Sequence, residues 1–415
     1  MQTVKLELQK DLARHLRGGH PWVFRRALEK PPSRLAAGAI VDVVEKGRFV
    51  ARGYYDPHSH ISVRVLTLDQ AEAVGPHFWR RRIAHAIALR RAYAPFSDPG
   101  RTDCVRLVHG ENDGLPGVVV DLYGKFAVLK LYSAGLAPHR ADLVEALRGE
   151  VALEGVYGRD EEAAEGGDDG AEDEPGPELA GGRPPRGRVL WGREPPEHVV
   201  VRENGIVLAV DVRAGQKTGF FLDQRDNRLA LCRYASGVAS ALNCFSYSGG
   251  FSLSLALHGA SKVTSVDRDG AALLLARKNF ELNGLDPEAH AFVAADVLED
   301  LAGRRERGER FDLVVLDPPA YAKTQKAVPA AIDGYASLHR TALGVLRPGG
   351  ILATASCSAR VTPDEFLSAI REAAIKSRAD LTLLEERRQP PDHPVRIAFP
   401  EGRYLKFFVF RRGEE

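Results

Sequence analysis

The apolar positions of this chain change their period along its length. Up to about residue 72 they fall in short runs: segments 38–45 and 48–55 flank a Lys46-Gly47 turn, and Ile61 to Leu66 alternates with period two. Short strands joined by turns predict a small β-barrel over residues 1–72. From residue 78 to 93 the spacing turns helical, with Trp79, Ile83, Ala86 and Ile87 on one side and arginines elsewhere. Two further apolar runs, 118–122 and 125–132, meet at Tyr123-Gly124 and predict a hairpin, followed by a helix near residues 140–147. This mixture predicts a small α+β middle domain over residues 73–203. Beyond about residue 204 strand and helix patterns alternate regularly, with strands predicted at 237–244, 262–267, 289–296 and 311–317 and helices at 250–258 and 271–283. Such alternation predicts an α/β domain with a doubly wound sheet over residues 204–415.

Composition changes this picture at one place. Residues 160–188 are rich in Asp, Glu, Gly and Pro, bury too little apolar surface to order themselves, and predict a disordered acidic insertion in the middle domain. Residues 160–178 hold ten Asp or Glu and no Lys or Arg, so the formal net charge of +1 hides a remainder of +11. Residues 1–106 alone hold 19 Lys or Arg against 10 Asp or Glu, a balance that suits phosphates. Arg17, His20, Trp22, Arg25 and Arg26 lie in loop-like segments of this basic region, a mixture of cations and an aromatic suited to RNA.

At 415 residues the chain is long enough for two or three domains. The first ten residues mix charges with apolar positions and offer no signal-peptide core. No apolar run reaches the roughly 18 residues of a membrane helix, so no membrane partner and a cytoplasmic location are expected. Cys104, Cys232, Cys244 and Cys357 are scattered without a Cys-x-x-Cys pair, which predicts neither a disulfide framework nor a metal site.

The candidate chemistry sits at strand ends. One predicted strand ends in Asp317, followed by Pro318, Pro319, Ala320 and Tyr321; another, from Ile351, ends in Cys357 between Ser356 and Ser358. In one parallel sheet both ends lie at the edge where open α/β sheets bind ligands. The two prolines stiffen the loop, so that it presents Asp317 and its carbonyls to a flat base. Two chemistries suit such a loop. Methylation of an exocyclic amine needs acceptors for the amine hydrogens and an aromatic directly after the prolines, and here Ala320 holds that slot while the aromatic is displaced to Tyr321. Methylation of cytosine at carbon 5 needs a thiolate to add at carbon 6 first, because carbon 5 is a poor nucleophile. Cys357 offers that thiolate.

A cofactor half precedes it. Asn243, Phe245, Ser246, Tyr247 and Gly249 form a small-residue turn between a strand and a helix, and Asp267 ends the next strand, placed to take the hydroxyls of a ribose. The turn is not Gly-x-Gly-x-x-Gly, which favours a nucleoside without a pyrophosphate, such as S-adenosylmethionine (SAM). Asp296 ends the third strand within reach of an adenine amino group, Gln224 and Arg225 lie in a segment able to close over the ligand, and Asp317 borders both halves.

Eight stretches together resemble the ribosomal large-subunit RNA methyltransferase I family: 19–24, 110–117, 217–225, 243–250, 316–323, 354–358, 392–395 and 400–406. The resemblance implies an N-terminal PUA β-barrel, a small α+β domain and a Rossmann-like class I methyltransferase domain, with SAM as cofactor, 23S rRNA or a large-subunit precursor as partner, and a homodimer. It implies the product 5-methylcytosine, Cys357 as nucleophile and Asp317 holding the base. Many other RNA cytosine methyltransferases carry a second cysteine where Ala320 stands, which leaves Asp317 and Lys323 as candidates for removing the carbon 5 proton. The acidic insertion departs from the family pattern. A purine amine methyltransferase and a non-catalytic RNA-binding ribosome-assembly factor are the rival readings.

Overall fold

The computed structural model describes residues 3–29, 35–93, 98, 100–159, 187–322 and 324–414. Lys323 lies outside them, as does the acidic insertion up to residue 186. The predicted insertion ends early, because Arg188–Gly192 is a strand. The chain divides into two compact units, one of residues 1–201, 211–220 and 391–402, the other of residues 202–210, 221–390 and 403–415.

The first unit holds two sheets. In the N-terminal one, Val4–Glu7, Ile40–Glu45, Arg48–Tyr55, Ile61–Thr67 and Trp22–Phe24 lie side by side in that order. A Leu8–Leu28 bridge joins the segments that follow the two edge strands, so the sheet curls toward closure. Leu6, Val23, Val41, Val43, Val63 and Leu16 fill it. Trp22, predicted in a loop, pairs in register with Arg64 instead, because alternation in so short a strand is illegible. The second sheet runs Arg188–Gly192, Gly155–Gly158, Phe126–Leu131, Val118–Tyr123 and Cys104–His109. Helices Pro76–Tyr93 and Arg140–Glu150 cover it, and the predicted helical stripe of Trp79, Ile83, Ala86 and Ile87 is wholly buried there.

The second unit is built on a seven-stranded sheet in the order Ala291–Ala294, Lys262–Asp267, Ser240–Cys244, Phe311–Leu316, Leu346–Ser356, Lys406–Arg412 and Leu381–Arg387. Lys406–Arg412 runs opposite to the other six strands of this sheet, antiparallel to both of its neighbours. The central strands are covered on both faces, which is why Ser240–Cys244 and Phe311–Leu316 read as largely apolar runs. Leu242 and Cys244 face helices Val297–Glu306, Val328–Leu343 and Pro363–Ser377, while Ala241, Leu313 and Val315 face helix Gly250–Leu257. The third predicted strand shrinks to Ala291–Ala294, since Pro287–Ala289 is a 3₁₀ turn and Asp296 caps the following helix. Chain order reverses between Ser240–Cys244 and Phe311–Leu316, and ligands of doubly wound sheets bind at that crevice.

Candidate active site at the carboxyl edge of the parallel sheet

Register lines up the predicted residues. Ala294 pairs with Asp267, Val266 with Cys244, Cys244 with Leu316, and Leu316 with Thr354. Asp267 therefore ends its strand while Asp296, Phe245 and Asp317 stand just beyond theirs, on neighbouring strands about 4.8 Å apart. Asp317 is level with Ala355, so Cys357 projects two residues, or roughly 6.6 Å, farther out. The antiparallel strand beside it supports that overhang, with Lys406 opposite Ser356.

The turn after Cys244 is bent by three left-handed residues, Phe245, Tyr247 and Gly249, with φ of 60°, 47° and 79°. Two of them carry side chains, and such strain persists where the surroundings hold it. Asp267 supplies the hold: Oδ2 accepts from the Tyr247 amide at 2.7 Å and Oδ1 from the Asp269 amide at 2.9 Å. The Phe221 ring packs edge-on against Tyr247 with centroids 5.3 Å apart. Gly249 is required twice over, because a Cβ there would also meet Ala276 Cβ at 2.8 Å. Asn243 is spent inside the unit, its Nδ2 donating to Ser252 Oγ at 2.9 Å. Ser246 Oγ and Asn243 Oδ1 are buried with no hydrogen-bond partner among the described residues. An unmet Ser246 hydroxyl in the turn that Asp267 braces fits a nucleoside cofactor, which Ser246 and Asp267 could hold.

Asp296 has a structural job as well. Its Oδ1 accepts from the amides of Leu298 at 2.9 Å and Glu299 at 3.3 Å, capping the helix, and Arg268 donates to Oδ2 at 2.8 Å. Desolvation, the largest influence, raises its pKa, but these bonds together outweigh it and hold the carboxyl below its usual range. Tyr321 belongs to this neighbourhood: burial first, then the Asp296 charge, pushes its phenol up to about 12. Its ring stacks on Tyr335 at 4.6 Å, and the absent side chain of Gly334 leaves room for it.

Gln224, from the segment predicted to close over the ligand, reaches Asp317. Gln224 Nε2 donates to Asp317 Oδ1 at 3.0 Å, and Asn227 Nδ2 fixes Gln224 Oε1 at 2.7 Å. Arg225 is fully buried, its Nε donating to Asp226 Oδ1 at 3.2 Å. Pro318 is buried and Pro319 exposed. Cys357 is half-buried, whereas Cys104, Cys232 and Cys244 are buried. Burial raises the Cys232 thiol to about 11 and the Cys244 thiol further, so neither is a nucleophile. The flanking Ser356 Oγ lies 3.0 Å from the Tyr335 hydroxyl, and Ser358 Oγ donates to the Ala322 carbonyl at 2.9 Å, tying the two strand-end loops together.

The predicted RNA-binding residues lie in the other unit, on different elements: Arg17 ends the helix Ala13–Arg17, His20 is in the following loop, Trp22 opens a strand and Arg25 opens a 3₁₀ turn. His20 is buried and 3.4 Å from Glu401, and Trp22 Nε1 donates to Glu111 Oε1 at 3.0 Å. Arg17 stands 3.7 Å from Glu45, and Arg25 donates to the carbonyls of Pro57 and Ser59. Sequence reading missed Asn227, Tyr335, Tyr404 and Lys406. Of these only Tyr404 and Lys406 left a signal, inside the 400–406 motif.

Two family models match the chain: a PUA-like domain over residues 6–68 and a SAM-dependent methyltransferase over residues 183–411. Ribosomal RNA large subunit methyltransferase I of Klebsiella pneumoniae is 40% identical over 408 residues, 98% of each chain. The protein of that name from Citrobacter koseri is 40% identical over 410 residues, 99% of each. A candidate methyltransferase, SMU.776, solved with SAH, superposes with a TM-score of 0.82 at 24% identity, covering 99% of this chain and 100% of its own, which supports the fold. Among the described residues no helix is long and apolar enough to cross a membrane, and no cluster of His, Cys, Asp or Glu is able to hold a metal ion. Matched over nearly its whole length and in both domains, the chain belongs to the ribosomal RNA large subunit methyltransferase I family and carries a SAM-dependent methyltransferase domain.

Proposed function

We propose that this protein methylates carbon 5 of a cytosine in large-subunit ribosomal RNA, through a covalent adduct on Cys357. The relatives' shared name supports the RNA substrate. The observation that carries the choice of carbon is the half-buried Cys357, overhanging the edge one strand from Asp317. The Cys357 thiolate adds to carbon 6, and the displaced electron pair makes carbon 5 nucleophilic. SAM, when bound, supplies an electrophilic methyl group. Asp317, oriented by Gln224, holds the amino edge of the base. Loss of the carbon 5 proton then returns an electron pair to the ring, restoring the double bond and expelling the thiolate. Asp317 and Lys323 are the acceptors proposed for that proton; Tyr335 is excluded as a base because burial raises its phenol well above neutrality. The N-terminal domain, through Arg17, His20, Trp22 and Arg25, captures the RNA, and the target base is presented unstacked.

The test uses RNA containing 5-fluorocytosine, in which carbon 5 has no proton to lose, so the adduct persists. A SAM-dependent protein–RNA crosslink is expected for the unaltered chain and none for Cys357→Ala. Full production of 5-methylcytosine by Cys357→Ala, read by nucleoside mass spectrometry, would refute the covalent route. Methylated purines in its place would favour amine methylation.

A further inference from the structure

The first residue of the antiparallel strand is an unusual choice for a core position. Lys406 is 3% exposed and faces Ser356 across the ladder. Its Nζ donates to three carbonyls, those of Ser358, of Val361 at 2.9 Å and of Tyr404 at 2.9 Å. Three acceptors match the three hydrogens of an ammonium, which has no lone pair to oppose them. Lysine is rarely buried so completely, and an apolar residue of similar volume would pack without desolvating a charge. Two of the three carbonyls belong to the turn through which the chain leaves its strand at Cys357.

We propose that Lys406 is a positioning residue for Cys357: its ammonium pins the Ser358–Val361 turn behind the cysteine and supplies a fixed positive charge that favours the thiolate. The inference rests on Cys357 being the nucleophile. The ammonium bonds the residue next to the cysteine, which puts the charge roughly 5–8 Å away, given about 3.8 Å between consecutive Cα atoms. At that range, in a partly desolvated site, a cation shifts thiol ionisation by on the order of one pH unit. Among the described residues, two of the titratable groups packed near the cysteine carry no charge. Tyr335 and His339, on the helix Val328–Leu343, are neutral, since burial raises the phenol and lowers the imidazole to about 4. Asp317, on the neighbouring strand end, works against a thiolate. Among the described residues Arg360, half-buried in the same turn, is a further cation. The entry segment of this strand serves the other loop as well, because the Tyr404 hydroxyl donates to Asp223 Oδ2 at 2.8 Å, next to Gln224.

The experiment compares K406Q, which keeps donors but loses the charge, with K406R, which keeps the charge. The full-length proteins are alkylated with iodoacetamide across pH 6–10, and Cys357 is followed by peptide mass spectrometry. K406Q is expected to raise the pH of half-maximal alkylation by about one unit and to lower kcat at least tenfold with the KM for SAM unchanged, while K406R restores most of both. An unshifted alkylation profile in K406Q, or equal loss in K406Q and K406R, overturns the proposal. SAM binding by calorimetry establishes that each variant is folded. Should K406Q not fold, alkylation of K406R carries the test alone: a profile like that of the unaltered protein supports the fixed charge, and an upward shift refutes it. Alkylation does not require methyl transfer, so failure of Cys357 as nucleophile, seen in Cys357→Ala, is distinguishable from failure of Lys406.

Discussion

Gln224 and Asp317, 93 residues apart in the chain, are joined by a 3.0 Å hydrogen bond from Nε2 to Oδ1. Asn227 occupies the other end of the Gln224 amide, so the group is held with its donor toward the carboxylate. Gln224→Ala is expected to lower kcat about tenfold, equivalent to about 1.4 kcal/mol of lost transition-state stabilisation. Gln224→Glu should be worse, since two neighbouring carboxylates share one proton. Methyl transfer to RNA measured across pH checks both, and a Glu variant as active as the native protein would count against the assignment.

Gly249 meets two demands, a φ of 79° and contact with helix Gly270–Leu282 through Ala276. Gly249→Ala should lose about 1–2 kcal/mol to the left-handed backbone and a further 1–3 kcal/mol to overpacking. Because the same turn carries Ser246, affinity for SAM should fall with stability. Urea unfolding and titration calorimetry report the two effects separately.

Glu203 and Arg228 form a buried two-bonded pair at 2.6 and 2.7 Å, each side chain 4% exposed. Breaking one side leaves an uncompensated buried charge. Arg228→Met is expected to destabilise by about 3–5 kcal/mol, and Arg228→Met combined with Glu203→Leu to recover much of it. If the double variant were as unstable as the single one, the cost would lie in packing.

His339 is wholly buried between the Tyr335 carbonyl at 2.6 Å and Thr354 Oγ1 at 2.8 Å, and burial lowers its pKa from 6.5 to about 4. Its folded pKa is depressed, so above pH 6.5 both states are neutral and it adds no pH dependence. Between pH 6.5 and 4 the unfolded chain takes up the proton first, and stability falls by up to about 3 kcal/mol. His339→Gln should flatten that part of a Tm profile taken from pH 7.5 to 4.5. Parallel profiles would show that other groups govern acid unfolding.

Much of the fold is legible because burial imposes period on sequence. The stripe Trp79–Ile87 faces only one way, and the apolar runs ending in Asp267, Asp317 and Cys357 read as buried strands of one sheet. Local chemistry also marks the turn at Phe245–Gly249 and the stiff Asp317-Pro318-Pro319 loop. Trp22–Phe24 is too short to show a period, and the capping of a helix by Asp296 is a further role that its place at a strand end does not reveal.

Period-two and period-3.6 patterns, with the residue types at strand ends, are enough to name the elements and the reactive groups, because those depend on neighbours a few residues away. Register and the last antiparallel strand are different. That Cys357 overhangs Asp317 by two residues, that Gln224 reaches Asp317, and that Lys406 is caged behind the cysteine follow from pairings between segments tens to hundreds of residues apart. Such pairings are selected by how all seven strands and their covering helices pack at once, and no local window of the chain contains that competition.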